Sequence, residues 1–275
     1  MSFLGLETSI FGGTPVELYE FRLSTVSWRY CSGQKPVIYS GQTYVPTPIK
    51  HSEIVDESGK DTNGLTITAP FDLDIGTIWM AAPPSEVVQL FIYERHLTDP
   101  DNEFQIKWMG RVLNAKWTHA ELELQAESTR ISAKRMGLRR RNQVSCPYAL
   151  YGNGCNVNNL AFEVSGPCTL LSGVQISVPA IGSAGKPDGW FVGGYATWVS
   201  DTTGIVERRS IIAHVGSTVT FDTTAVGLSS TDTVKLYPGC DRTLATCVSK
   251  FNNVINYGGL PWVPTKNPFG SNPVF

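Results

Sequence analysis

The stretch "AELELQAES", residues 120–128, sets Ala120, Leu122, Leu124 and Ala126 against Glu121, Glu123, Gln125 and Glu127. A repeat of two puts all the apolar side chains on one face of an extended strand and all the charged ones on the other. On a helix the same residues would be spread around the whole circumference. The same pattern recurs along the chain, broken by Gly, Pro, Asn, Asp and Ser, so each strand is short and each break is a turn. Such a chain folds as stacked or curved antiparallel sheets, not as a helical bundle.

Composition agrees. Charged residues make up 17% of the 275 residues, and the formal net charge is −2. A general nucleic-acid binder carries a positive balance, so specific nucleic-acid binding is not expected. No run of apolar residues is long enough to span a bilayer, so no membrane span is expected. The N-terminus has neither a basic start nor a long apolar run and reads poorly as a signal peptide. A chain kept in the cytoplasm holds its thiols reduced, and six cysteines in this length are too few for a disulfide scaffold.

Segments 16–30, 36–49, 64–70, 86–96, 104–119 and 120–128 read as strands. Ser40-Gly41 is the expected hairpin turn, 56–64 an exposed loop, and 86–128 a meander. A short helix is expected from Thr129 to about Met136, ended by Gly137. Strand patterns return between Leu160 and Leu236. The C-terminal "NYGGLPWVPTKNPFGSNPVF" carries too many Pro and Gly for helix or central strand and reads as an extended arm. The expected organisation is mainly β: residues 1–137 as an N-terminal β-domain, 138–159 with 237–275 as a C-terminal domain, and 160–236 as a β module inserted into it.

Four cysteines stand apart from this background. Cys146 and Cys155 lie nine positions apart in "SCPYALYGNGC", and Cys240 and Cys247 seven apart in "YPGCDRTLATC". Pro147 is expected to open a helical turn, and Asp241 or Thr243 to cap a helix running to about Phe251, with Cys240 before it and Cys247 inside it. Helix N-termini and Arg139, Arg140 and Arg141 would favour ionised thiols. Spacing leaves three readings open. Structural zinc prefers shorter knuckles, an iron–sulfur cluster accepts wider loops, and four ordinary reduced thiols need no metal.

The stretch "YPGCDRTLATCVSKFNNVINYGGLPWVP" resembles the C-terminal signature of the hub (tail-tip) proteins of phages with long non-contractile tails, including the lambda-type tail-tip L protein and gene-transfer-agent relatives. The matching positions are Tyr237, Pro238, Gly239, Cys240, Asp241, Cys247, Lys250, Phe251, Asn253, Asn256, Gly258, Gly259 and Pro261, and "LYGNGC" is similar to the family's upstream half. The motifs cover about a quarter of the chain, and the 160–236 segment matches nothing in the pattern. The resemblance implies a [4Fe–4S] cluster on Cys146, Cys155, Cys240 and Cys247, and a non-enzymatic structural protein of the virion tail tip assembled in the host bacterial cytoplasm. It further implies a hub β-barrel-like N-terminal domain and a homotrimeric baseplate ring. The neighbours so implied are a distal tail protein ring, a receptor-directed central tail-tip or fibre protein, and the tape-measure protein.

The remaining candidates read more plainly. Cys31 and Cys168 are expected as small buried hydrophobes, and the scattered histidines 51, 96, 119 and 214 as structural or exposed. "GSAGKPDG" lacks the order of a phosphate loop, and no hydrolase or metalloprotease motif is present. Trp190, Trp198 and Tyr195 are a candidate sugar-stacking set in the inserted segment, and Trp262 and Phe275 are expected to anchor the C-terminal arm in a groove.

Overall fold

The computed structural model describes residues 3–9, 11–54, 64–133 and 142–263. The chain divides into two compact units, Met1–Met136 and Gly137–Phe275. Among the described residues strands far outweigh helices, so the fold is mainly β.

The first unit opens with helix α1 (Phe3–Glu7) and continues through β1 (Pro15–Leu23), β2 (Val26–Cys31), β3 (Val37–Tyr39), β4 (Gln42–Pro46), β5 (Lys50–His51), β6 (Gly64–Pro70), β7 (Val88–His96), β8 (Gln105–Trp117) and β9 (Glu121–Ser128), with helix α2 (Arg130–Ala133) at its end. The strands form one sheet in the order β3-β4-β2-β1-β7-β8-β9-β6-β5. Among the described residues the two ends of that order do not pair with each other, so the sheet is a half-barrel.

The alternation that begins the sequence argument is realised on β9, where Leu122, Leu124 and Ala126 are buried. Ala120 lies outside the strand, in the tight turn before it. The meander of β7, β8 and β9 pairs antiparallel throughout. The β3–β4 hairpin turns at Ser40 and Gly41, with φ of 51° and 74°. Two successive positive φ values match the right-handed twist of the flanking strands. Cys31 is fully buried between β1 and β4 neighbours. The expected loop at 56–64 lies almost wholly outside the described residues.

The second unit contains β10 (Val164–Pro167), β11 (Thr169–Ser172), β12 (Gln175–Ser177), helix α3 (Ala180–Ser183), β13 (Tyr195–Val199), β14 (Val206–Val215), β15 (Thr218–Phe221), β16 (Thr233–Tyr237) and helix α4 (Leu244–Ser249). Its seven strands run β10-β16-β13-β14-β15-β12-β11. The core of this sheet gathers Ile176, Phe191, Trp198, Ile211, Val219 and Phe221, with Cys168 among them.

That core corrects one expectation. Trp198 is 2% exposed and its indole N–H donates to the Val226 carbonyl at 3.0 Å, so it has no face to offer a sugar. Trp190 is partly buried, with the ammonium groups of Lys186 and Lys250 over its ring. The alternation on β13 sends Trp198 inward with Ala196, the outcome that strand periodicity favours over surface stacking.

Candidate metal centre

Two segments flank the seven-stranded sheet in sequence, and backbone hydrogen bonds join them. The Cys146 N–H donates to the Arg242 carbonyl at 2.9 Å, and the Leu260 N–H to the Gln143 carbonyl at 2.8 Å. The Tyr257 hydroxyl donates to the Val144 carbonyl at 2.8 Å. The Tyr151 hydroxyl donates to the Pro238 carbonyl at 2.7 Å. The second cysteine pair thereby comes to lie beside the first.

The approach requires missing side chains. A Cβ on Gly239 would stand 2.1 Å from the Val192 carbonyl oxygen, and one on Gly194 2.0 Å from the Tyr237 oxygen. Backbone therefore packs on backbone where the sheet delivers Cys240. Gly154 and Gly258 sit against the Tyr148 ring in the same way, at 2.5 and 2.4 Å from its carbons to the Cβ each lacks.

On the downstream side the local structure follows the sequence. Thr243 caps α4, its hydroxyl accepting from the Thr246 N–H at 3.2 Å, while Asp241 accepts from the Thr243 N–H at 2.9 Å. Cys240 precedes the helix and Cys247 lies within it. On the upstream side no helical turn follows Pro147. Residues 148–156 form successive turns, with Tyr151 and Asn156 at positive φ. A residue in the left-handed region ends helical propagation, and the glycines on both sides of Asn153 favour turns over helix.

Cys146, Cys155, Cys240 and Cys247 all border one cavity of about 240 Å³. All four are free thiols. Two sulfurs accept hydrogen bonds: Cys240 from the Arg242 N–H at 3.3 Å, and Cys155 from the Asn253 amide at 3.7 Å. Asn253 is buried and binds the Cys155 carbonyl at 2.6 Å as well, while its own carbonyl accepts from the Cys247 thiol at 3.3 Å. One side chain and its backbone thus tie a thiol of each pair together. Sequence reading noted Asn253 as part of a motif and assigned it no role.

Burial, with the neighbouring thiols, disfavours ionisation of Cys247 and Cys240. Burial pushes Cys247 up, and the nearby Cys155, Cys240 and Cys146 push further. Cys240 is also raised by burial, opposed by the Arg242 N–H and reinforced by Asp241 and the neighbouring thiols. The expected thiolate stabilisation at the helix start is therefore outweighed: desolvation and like charges dominate a six-residue helix. Arg139, Arg140 and Arg141 lie outside the described residues.

This donor set, four soft sulfurs without imidazole or carboxylate on the cavity wall, suits zinc or iron–sulfur chemistry. A single zinc requires its sulfurs to converge at about 2.3 Å from one point. Among the described residues no group of three or more His, Cys, Asp or Glu side chains is arranged to hold one ion. Four thiols bordering one cavity are a donor set that fits either group.

A family described as "Phage conserved hypothetical protein BR0599" matches residues 189–267. A protein of Xylella fastidiosa (strain 9a5c), described only as uncharacterized, is 27% identical over 72% of this chain, which spans 45% of that relative. Among solved structures, a chain in the virion of a native gene transfer agent particle superposes with a TM-score of 0.80. The match covers 99% of this chain and 96% of that one at 14% identity, a likeness of fold.

Proposed function

We propose that this chain is a structural component of a phage-type tail, a hub at the tail tip whose C-terminal unit is held by a [4Fe–4S] cluster on Cys146, Cys155, Cys240 and Cys247. The observation that carries the reading is the convergence of two cysteine pairs, separated by a whole sheet, on one cavity. The fold shared end to end with a virion chain and the phage-family match over the second half both favour it.

The physical role follows from topology. Residues 160–236 leave and re-enter the site through neighbouring backbone, and closing so long a segment costs conformational entropy. Ligation by thiolates from both flanks offsets that cost; for structural zinc the scale is on the order of 10 kcal/mol. When bound, the cluster supplies cross-linking and charge balance. The chain's own residues supply four thiols, two N–H donors to sulfur, and the hydrogen bonds that bring the loops together. In this reading the first unit, with its half-barrel sheet, builds a homotrimeric ring. The ring joins a distal tail protein ring to a receptor-directed central tail-tip or fibre protein, within reach of the tape-measure protein.

Cys155→Ser and Cys240→Ser test the reading in assembling particles. The first unit is expected to keep its fold, because its core shares no residue with the site, while tail assembly is lost. Normal infectious particles from both variants would remove the cluster as a necessary staple.

A further inference from the structure

Lys250 follows α4 and extends from it toward Cys240. Its ammonium group donates to the Gly239 carbonyl at 2.7 Å and to the Trp190 carbonyl at 2.5 Å. The Gly239 carbonyl belongs to the residue that precedes Cys240. The Nζ also stands 4.7 Å from the Trp190 ring centre and 5.6 Å from that of Phe251. Carbonyl oxygens and ring faces solvate a cation without neutralising it. Among the described residues Lys250 makes no ion pair with a carboxylate; burial lowers its pKa, and the nearby Cys240 and Asp241 oppose that.

Two carbonyls and two ring faces hold the ammonium group beside the turn that carries Cys240. Cys240 borders the cavity, and a cluster ligated there by four thiolates would be anionic. We propose that Lys250 is a positioning residue of the thiol site: it fixes the Gly239–Cys240 turn and serves as the half-buried counter-cation to the cluster held there. The proposal rests on the reading that a cluster occupies the cavity, and it adds the residue that sets the cluster's charge balance. A nearby fixed positive charge favours the more negative, reduced form, so Lys250 raises the reduction potential.

The test uses the full chain purified without oxygen, as wild type, Lys250→Met and Lys250→Arg. Iron and acid-labile sulfide per chain give occupancy, circular dichroism gives folding, and a redox titration followed by electron paramagnetic resonance gives the midpoint. Lys250→Met is expected to shift the midpoint downward, and Lys250→Arg to restore most of the shift because it keeps the charge. Loaded Lys250→Met with the wild-type midpoint would overturn the proposal, as would Lys250→Arg shifted as far as Lys250→Met. If Lys250→Met fails to fold or to load, loading by Lys250→Arg supports the charge requirement. Equal failure of both variants overturns it. A wild-type chain with neither iron nor sulfide strikes the underlying reading instead, and the two failures are told apart by that first measurement.

Discussion

Gly239 shows how far the site depends on single residues. Its missing Cβ would lie 2.1 Å from the Val192 oxygen and 2.3 Å from the Gly193 carbonyl carbon, and backbone cannot step aside as a flexible side chain does. Gly239→Ala is therefore expected to cost about 2 to 3 kcal/mol in the second unit, with loss of metal loading on reconstitution. A variant with wild-type melting and loading would mean that the turn has more freedom than its contacts imply. Residues of this kind were only half legible. The cysteines stood out because thiols are rare and were paired, and the Thr243 cap because its position relative to the apolar run is diagnostic. Lys250 and Asn253 were invisible as site residues, since their partners are backbone carbonyls distant in sequence or, for Asn253, a distant sulfur, and no local pattern encodes such a contact. Trp198 was legible in part, since aromatics on strands are more often core than surface, and the structure buries it.

At the scale of elements, the strands of the first unit carry a polar cluster within their own sheet. Glu17 on β1 accepts from His51 on β5 at 2.9 Å, from Lys107 on β8 at 2.8 Å and from the Tyr19 hydroxyl at 2.5 Å. Burial pushes Glu17 up, but these hydrogen bonds prevail and bring its pKa from 4.5 down to about 2. The Glu17 contribution to stability is therefore complete above pH 4.5 and is lost as the pH falls toward 2, on the order of 2 to 3 kcal/mol. His51 moves the other way, raised above 6.5 chiefly by the Glu17 hydrogen bond against a smaller effect of burial. Its contribution is present below pH 6.5 and fades as the pH rises through its folded value. Thermal melts across pH should show the first unit most stable between these limits, and Glu17→Gln should flatten both flanks. An unchanged pH profile in Glu17→Gln would contradict the assignment. Periodicity made the strands of this sheet readable, yet no sequence pattern foretold which strands would bring Glu17, His51 and Lys107 together. The turn after Cys146 was misread for a related reason: Pro147 permits a helical start, but Tyr151 in the left-handed region and the glycines beyond it decide otherwise.

For the whole molecule, the mainly β class follows from alternation and turn residues alone, because those signals are local. The open order of the nine-stranded sheet does not, since closure depends on which strands become ends. The likeness of fold to a chain of a gene transfer agent virion covers 99% of this chain, and the proposal for the second unit rests on its four-cysteine cavity. The most direct test is chemical analysis of the full chain purified under strict anaerobiosis, with iron, zinc and acid-labile sulfide measured together and the visible spectrum recorded. The account predicts a brown protein with iron and sulfide in the one-to-one ratio of a [4Fe–4S] cluster, lost together when Cys146, Cys155, Cys240 or Cys247 is replaced by Ser. Stoichiometric zinc without sulfide, or a colourless metal-free chain whose four thiols all react with an alkylating reagent while the fold persists, would contradict it.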